Sequence, residues 1–483
     1  MENSKTHDAE SRTNSPPVQA RKLNSWEVTA ISVGFMGPVM AMSLNGIGVA
    51  GLVGKAVPLT FFVAFIGTLF VGYAFIRLLR EFTHAGSVYA LSGITLGPKA
   101  GFFGGFALLG TYTFLTACIL GACSVFFEAM ALELGATPPG KLWIAVPILV
   151  GLSGLFLNLR NSQVAARITL IIGLVGILVM LILAVIIISK VGSPNAPVTT
   201  GVDWAAFSPR EATWDGILTA SVFAFISWAG FESGSALGEE TKEPKKVIPR
   251  SLLAAITVGG TVYVFIMFAQ TLGYGTDAAG IEKFANASST LTELASMYVG
   301  SWYSILLSVI AFAVAFGAYL SSSTATSRLL FALARDGFGP HSFATQNPRT
   351  QVPTHAVIFT NTATVLMTVV LGLFGATNVE AYYWYATIGT LCMVIAYGMA
   401  SVGAIKYICS RTSTIPTFEV IFPIISLIYL VFVFFVQIVG QEPPYTYFPW
   451  IAGGWCLLGL VIVLSRPNLT KRIGRKMASF HAD

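Results

Sequence analysis

Two carboxylates fall inside long apolar stretches, Glu128 and Glu232. An ionisable group at bilayer depth is costly, so it is usually paired or functional; a position near an interface, where the side chain reaches out to water, is the plainer alternative, above all for Glu128. Glu232 stands in the run AFISWAGFESG, beside Gly230 and Gly234 and the hydroxyls of Ser227 and Ser233. A second run, VGFMGPVMAM, holds Gly34, Gly37 and Pro38. Pro38 has no N–H to give and its ring collides with the preceding turn, so regular helix fails there. A third run, Ser321 to Thr324, sets four hydroxyls in a row. Hard oxygens suit a hard cation, while small residues that pack closely and bond back to their own helix are the ordinary alternative. Other chemistry is thin. Cys118, Cys123, Cys392, Cys409 and Cys456 lie in or beside apolar stretches without metal-type spacing and read as buried thiols, and the five histidines are scattered. No HExxH, no paired intramembrane aspartates and no His/Cys cluster is present, so the expectation is no enzyme, no cofactor and no metal.

The elements that would position these groups are membrane helices. The chain of 483 residues is 55% apolar and 10% charged, against about 25% charged in soluble proteins. Residues 1–24 are polar and read as a disordered tail without a cleavable signal peptide, leaving insertion to the first membrane helix. A membrane helix needs about 20 mostly apolar residues. Twelve segments qualify: 27–54, 58–80, 101–134, 141–159, 164–190, 214–238, 250–273, 302–332, 354–376, 382–408, 417–440 and 446–465. An even number puts both termini on one side. With that side inside, only Lys55, Lys141, Lys190, Arg210 and Lys283 of the 28 Lys and Arg fall in outer loops, which is the bias expected of a cytoplasmic N-terminus. The net charge of +6 then reflects topology rather than nucleic-acid binding. The interrupted segments, 1 and 6, each open a candidate half of five helices, 1–5 and 6–10; paired interruptions at matching positions point to a transporter binding site.

Two loops carry a resemblance. GFESGSALGEETKEPKKVIPRSL (230–252) and SRLLFALARDGFGP (327–340, with Pro353 after it) resemble the segment 6 exit and the segment 8 exit of the amino acid–polyamine–organocation permeases, and FTHAGSVYALSGITLGPKAGFFGG (82–105) is similar to that family's loop between helices 2 and 3. The resemblance covers the whole twelve-segment layout. It implies an all-α membrane protein with a five-plus-five inverted repeat and discontinuous helices 1 and 6, made of a transport core (25–408), two further helices (409–466) and a cytoplasmic tail (467–483). It implies a secondary transporter of the plasma (inner) membrane, working by alternating access on an amino acid or amine, as a monomer or homodimer.

Carried onto this sequence, the resemblance implies substrate contacts from Gly37, Pro38, Val39 and Met40 in segment 1, Tyr112 and Thr116 in segment 3, Phe225, Ile226, Ser227, Trp228 and Ala229 in segment 6, and Ser322 in segment 8. Glu239, Glu240, Arg328, Arg335 and Asp336 would form a charged inner gate. Two departures matter. Gly-Pro-Val-Met replaces the usual G-S-G or G-T-G, and Pro38 removes one N–H that would hold a carboxylate, which keeps amines open beside α-amino acids. Gln163 stands where several proton-linked members keep a lysine, so the coupling ion is unsettled. Glu232 is then the candidate for proton sensing, and Ser321, Ser322 and Ser323 are the candidates for a sodium site. Tyr112, Phe225 and Trp228 would wall the pocket, which favours a neutral amino acid; a polyamine or other amine held by cation–π contact is the alternative. A channel or a non-transporting sensor is the remaining alternative.

Overall fold

A computed structural model describes residues 23–82, 88–160, 162–210, 212–348, 350, 352–411 and 413–479, with side chains outside 162–170, 236–240 and 475–479. Its helices are α1 (Ser25–Met36), α2 (Pro38–Val53), α3 (Val57–Glu81), α4 (Val88–Leu96), α5 (Pro98–Glu133), α6 (Ala145–Arg160), α7 (Ser162–Lys190), α8 (Trp214–Phe225), α9 (Pro244–Tyr274), α10 (Ala278–Ala285), α11 (Thr290–Tyr298), α12 (Ser301–Arg335), α13 (Thr354–Leu373), α14 (Asn378–Ile408), α15 (Ile421–Val436), α16 (Phe448–Ser465) and α17 (Pro467–Ser479). Among the described residues no sheet forms, and eleven stretches are long and apolar enough to cross a bilayer. One of them, Ser25–Glu81, has 57 residues. As a single rod it would reach about 86 Å, nearly three times a hydrocarbon core of about 30 Å. The chain turns back at Gly54, φ +57°, so that stretch is two passes and the molecule has twelve.

The expected segments match these passes with shifts at the ends. α14 starts at Asn378, four residues before the expected 382, because Thr377 and Glu380 close a capping box that apolar counting does not register. α9 starts at Pro244 and runs through Pro249, the residue expected to end the preceding loop. Pro244 takes the first helical position, where the missing N–H costs nothing, Pro249 lies inside the helix and gives up one bond, and the backbone turns at Glu243, φ +42°. Four helices have no counterpart among the expected segments: α4, α10, α11 and α17. Each is too short or too polar for a membrane pass. The tail assigned to 467–483 therefore begins as a helix. Four cysteines are buried as expected, but Cys409 is exposed, because α14 ends at Ile408 and leaves it as the cap.

α5 packs against both α12 and α14, α3 pairs with α9, and α15 and α16 lie against α3, α5 and α14. Exposed apolar rows on α6 (Leu149, Leu152, Phe156) and α16 (Leu457, Val461, Leu464) repeat every three to four residues and face lipid rather than water. The end richer in Lys and Arg is called inner below and the other outer.

Candidate substrate site

The first break is one residue wide. Gly37 ends α1 and begins α2 at φ +58°, ψ +63°. Its N–H still bonds the Val33 carbonyl at 3.2 Å, and its own carbonyl accepts from the Ala41 N–H at 2.9 Å. Pro38 takes the first position of α2, where its missing N–H leaves no intrahelical bond unmade. Val39 and Met40 are therefore helical, not unwound. The second break is longer. α8 ends at Phe225, a 3₁₀ turn covers Ile226–Trp228, Ala229 is extended, Gly230 has φ +91°, and a 3₁₀ run continues over Phe231–Glu240. The two breaks pack on each other: a Cβ at Gly230 would stand 1.9 Å from Phe35 Cδ1 on α1. Only glycine gives both the backbone angle and the room.

Glu232 lies just past that notch and is buried. The Tyr112 hydroxyl of α5 donates to its Oε1 at 2.9 Å, and the Tyr397 hydroxyl of α14 donates to its Oε2. No basic side chain among the described residues pairs with it. The Tyr112 ring rests against Phe35, centroids 5.4 Å apart, and Tyr397 meets Phe75 and Phe231 edge-on. Tyr112 thus reaches the break and acts there as a donor to Glu232.

The other expected wall residues point elsewhere. The Trp228 ring stacks on Phe65 at 6.3 Å, meets Tyr263 edge-on, and its Nε1 faces the Ile256 carbonyl, so it is bound between α3 and α9. Phe225 packs edge-on against Tyr429 of α15. Ile226 lines a small outer cavity of about 50 Å³ with Asn45, Tyr383 and Ala386. Ala229 is buried in the break itself. Ser227 is tied into a chain across three elements: Asn45 Nδ2 of α2 donates to its Oγ at 2.8 Å, and the Tyr382 hydroxyl of α14 donates to Asn45 Oδ1 at 2.7 Å.

The hydroxyls of α12 are used locally. Ser322 Oγ donates to the Tyr319 carbonyl, Thr324 Oγ1 to the Leu320 carbonyl and to Asn158 Oδ1, and Asn158 Nδ2 to Ser323 Oγ at 3.4 Å. Ser321 is half-buried. Thr116 Oγ1 donates to the Tyr112 carbonyl at 2.6 Å and lies 3.3 Å from Thr326 Oγ1.

At the inner end, Tyr89 and Asp336 join two of the motifs: the tyrosine of AGSVY donates to the aspartate of ARDG. Arg335 lies over the Phe331 ring at 5.6 Å and Arg328 is half-buried. The side chains of Glu239, Glu240 and Gln163 lie outside the described ones. Backbone groups also join the elements there: Lys242 N–H bonds the Leu23 carbonyl at 3.0 Å, and Gly234 N–H bonds Ser32 Oγ at 3.2 Å.

Sequence reasoning missed Tyr397, Asn45 and Tyr382, and also the donors that grip the outer half of segment 1. Gln270 Nε2 bonds the Met42 carbonyl, Thr290 Oγ1 bonds the Met42 and Ser43 carbonyls, and the Tyr383 hydroxyl bonds the Leu44 carbonyl. For all but Thr290, the available signal was an amide or phenol in an otherwise apolar helix.

A family model described as amino acid permease matches residues 23–462. The chain belongs to the amino acid permease family. It is thus a multi-pass membrane permease of the amino acid–polyamine–organocation superfamily, as the three loops implied. The permease is 26% identical to the low-affinity putrescine importer PlaP of Escherichia coli (strain K12), over 73% of this chain and 76% of that one. It is 23% identical to the branched-chain amino acid permease BcaP of Bacillus subtilis (strain 168), over 92% of each chain. It is also 23% identical to a methylthioribose transporter of Bacillus subtilis (strain 168), over 79% of this chain and 80% of that one.

Proposed function

We propose that this permease is a secondary transporter that moves a small amine-bearing substrate, a neutral amino acid first of all, by alternating access, with a proton carried along or exchanged. The supporting observation is Glu232: a buried carboxylate with two phenol donors and, among the described residues, no basic side chain paired with it. An ionised carboxylate in apolar surroundings without a cation is costly. Two species would relieve that cost, a proton and the ammonium group of a substrate. If they compete for the same oxygens, substrate binding and proton release are linked.

The relatives fit this reading in part. Putrescine and branched-chain amino acids both carry an ammonium group, whereas methylthioribose does not. An organic amine is the second reading, favoured by Pro38: the N-terminus of α2 lacks one N–H that would hold a substrate carboxylate. Sodium coupling is not part of the proposal, because the hydroxyls of Ser322, Ser323 and Thr324 bond their own helix and Asn158. In this reading the inner end faces the cytoplasm and both termini lie on that side of a plasma membrane; the Lys and Arg bias supports it.

The test is uptake into proteoliposomes from a panel of labelled amino acids and amines, at acidic and neutral pH, with sodium or choline. The expected result is saturable uptake of one chemical class, stimulated by unlabelled substrate inside, dependent on pH and indifferent to sodium. Flux that does not saturate would mean a channel, and binding without flux a sensor; either result rejects the proposal.

A further inference from the structure

An apolar groove of about 590 Å³ runs down the membrane face between α3, α9 and the start of α15, walled by Leu69, Phe70 and Tyr73, by Leu253, and by Phe418 and Phe422. Phe418 is 72% exposed and Leu253 43%. The groove's inner end carries cations. Arg77 is already used: its Nε and Nη2 each donate to Glu419 at 2.6 Å, and the Tyr73 hydroxyl donates to the same carboxylate. That set is neutral and fixes α15 against α3. Arg80, one turn further along α3, is exposed.

A second arginine stands at the same depth. A Cβ at Gly72 would touch Ile256, and one at Gly260 would touch Phe65, so α3 and α9 run antiparallel in that register. Counting inward from Gly72 to Arg80 and from Ile256 to Arg250 brings both arginines to the inner end. Arg250 is exposed and lies three residues before Leu253, on the same helix face. Neither arginine is in an ion pair among the described residues. Two nearby acids among the described side chains are engaged: Glu243 bonds Lys246 at 2.7 Å, with Arg250 adding a weaker field, and Glu81 accepts from Thr414 at 3.0 Å and Tyr407 at 3.5 Å.

We propose that this groove binds one anionic phospholipid of the inner leaflet, its phosphate between Arg80 and Arg250 and an acyl chain along Leu69, Phe70, Leu253 and Phe422. The apolar wall at membrane depth calls for a chain, and the two arginines at the interface call for a net negative headgroup. A zwitterionic headgroup brings its own cation and gains less from them. The groove spans α3, α9 and α15, so a lipid seated in it bridges three membrane helices.

The experiment titrates the purified full-length permease in detergent with phosphatidylglycerol, phosphatidylcholine or glycerol phosphate, and reads thermal stability together with bound lipid by native mass spectrometry. Phosphatidylglycerol is expected to bind one per chain and to raise the melting temperature where phosphatidylcholine does not. The Arg80→Ala/Arg250→Ala variant should bind it roughly tenfold more weakly or worse. Leu69→Trp, which fills the groove and leaves the charges, should weaken it as well. Equal response to phosphatidylcholine, an unchanged affinity in both variants, or the same stabilisation by glycerol phosphate alone would overturn the proposal; the last would identify a site for a free anion instead of a lipid.

Discussion

Glu232 shows how far one residue is legible alone. A carboxylate in an apolar segment declares itself by charge, and its place beside Gly230 ties it to the break. Its two donors do not declare themselves, because a tyrosine in a membrane helix is common and these lie 120 and 165 residues away. Phe225 and Trp228 were legible as large buried rings, but which neighbour each ring meets is decided by the rotation of segment 6 around its break. Glu232→Gln keeps the shape and removes the charge, and its amide nitrogen takes away the acceptor of one of the two phenols. Uptake should fall roughly tenfold or more, in line with a charge-assisted bond worth about 1.5–3 kcal/mol, and its pH profile should flatten. A variant with an unaltered profile would remove Glu232 from the proton step. A second carboxylate titrates outside the membrane. Burial pushes the Asp203 carboxyl up, but the Ala205 N–H and Lys55, whose Nζ is 3.3 Å away, outweigh it and hold it below the usual range. A depressed folded value means that this bond stabilises at pH above the ordinary carboxylate range and that its contribution fades as pH falls through the folded value. Asp203→Asn should therefore lower the melting temperature at neutral pH and narrow the stability gap to wild type in acid. A constant gap across the range would show that the pair does not contribute.

At the scale of elements, the breaks were readable because glycine and proline carry backbone rules rather than contacts. The width of the first break was not readable. Pro38 looks like a helix breaker in sequence, yet it starts a new helix as soon as Gly37 turns the chain. α10 and α11 were unreadable for a different reason: helices of 8 and 9 residues with polar caps have no membrane-length signal. Gly230→Ala tests the second break. The new methyl group meets the Phe35 ring in a backbone region that L-residues avoid, and strain and overpacking together cost about 2–6 kcal/mol. Thermal melting in detergent should show a large loss, and a variant that melts with wild type would mean that α1 and the break are not packed together as described.

Across the whole molecule, the twelve passes follow from hydropathy and charge bias, but the way they hold each other does not. The outer half of segment 1 is gripped from several sides at once: Gln270 of α9, Thr290 of α11 and Tyr383 of α14 bond carbonyls between Met42 and Leu44, and Asn45 links Ser227 to Tyr382. These partners are drawn from the second five-helix half, a short outer helix among them. If the proposed alternating access opens the site outward by parting α2 from α8 or α14, the Asn45 bonds lie across both seams. Each bond contributes about 0.5–1.5 kcal/mol, so losing two shifts a closed-to-open ratio by roughly 5- to 150-fold. Ala386 lines the outer cavity beside Asn45 and is a natural reporter. In an Ala386→Cys chain, a membrane-impermeant thiol reagent added from outside should react slowly, and adding Asn45→Ala should speed the reaction about tenfold. The native thiols interfere little: Cys118, Cys123, Cys392 and Cys456 are buried and Cys409 follows α14 at the inner end, with the parent chain setting the background. If Asn45→Ala leaves the labelling rate unchanged, the chain from Tyr382 to Ser227 is packing only, and the outer closure rests on the carbonyl clamps of Gln270, Thr290 and Tyr383.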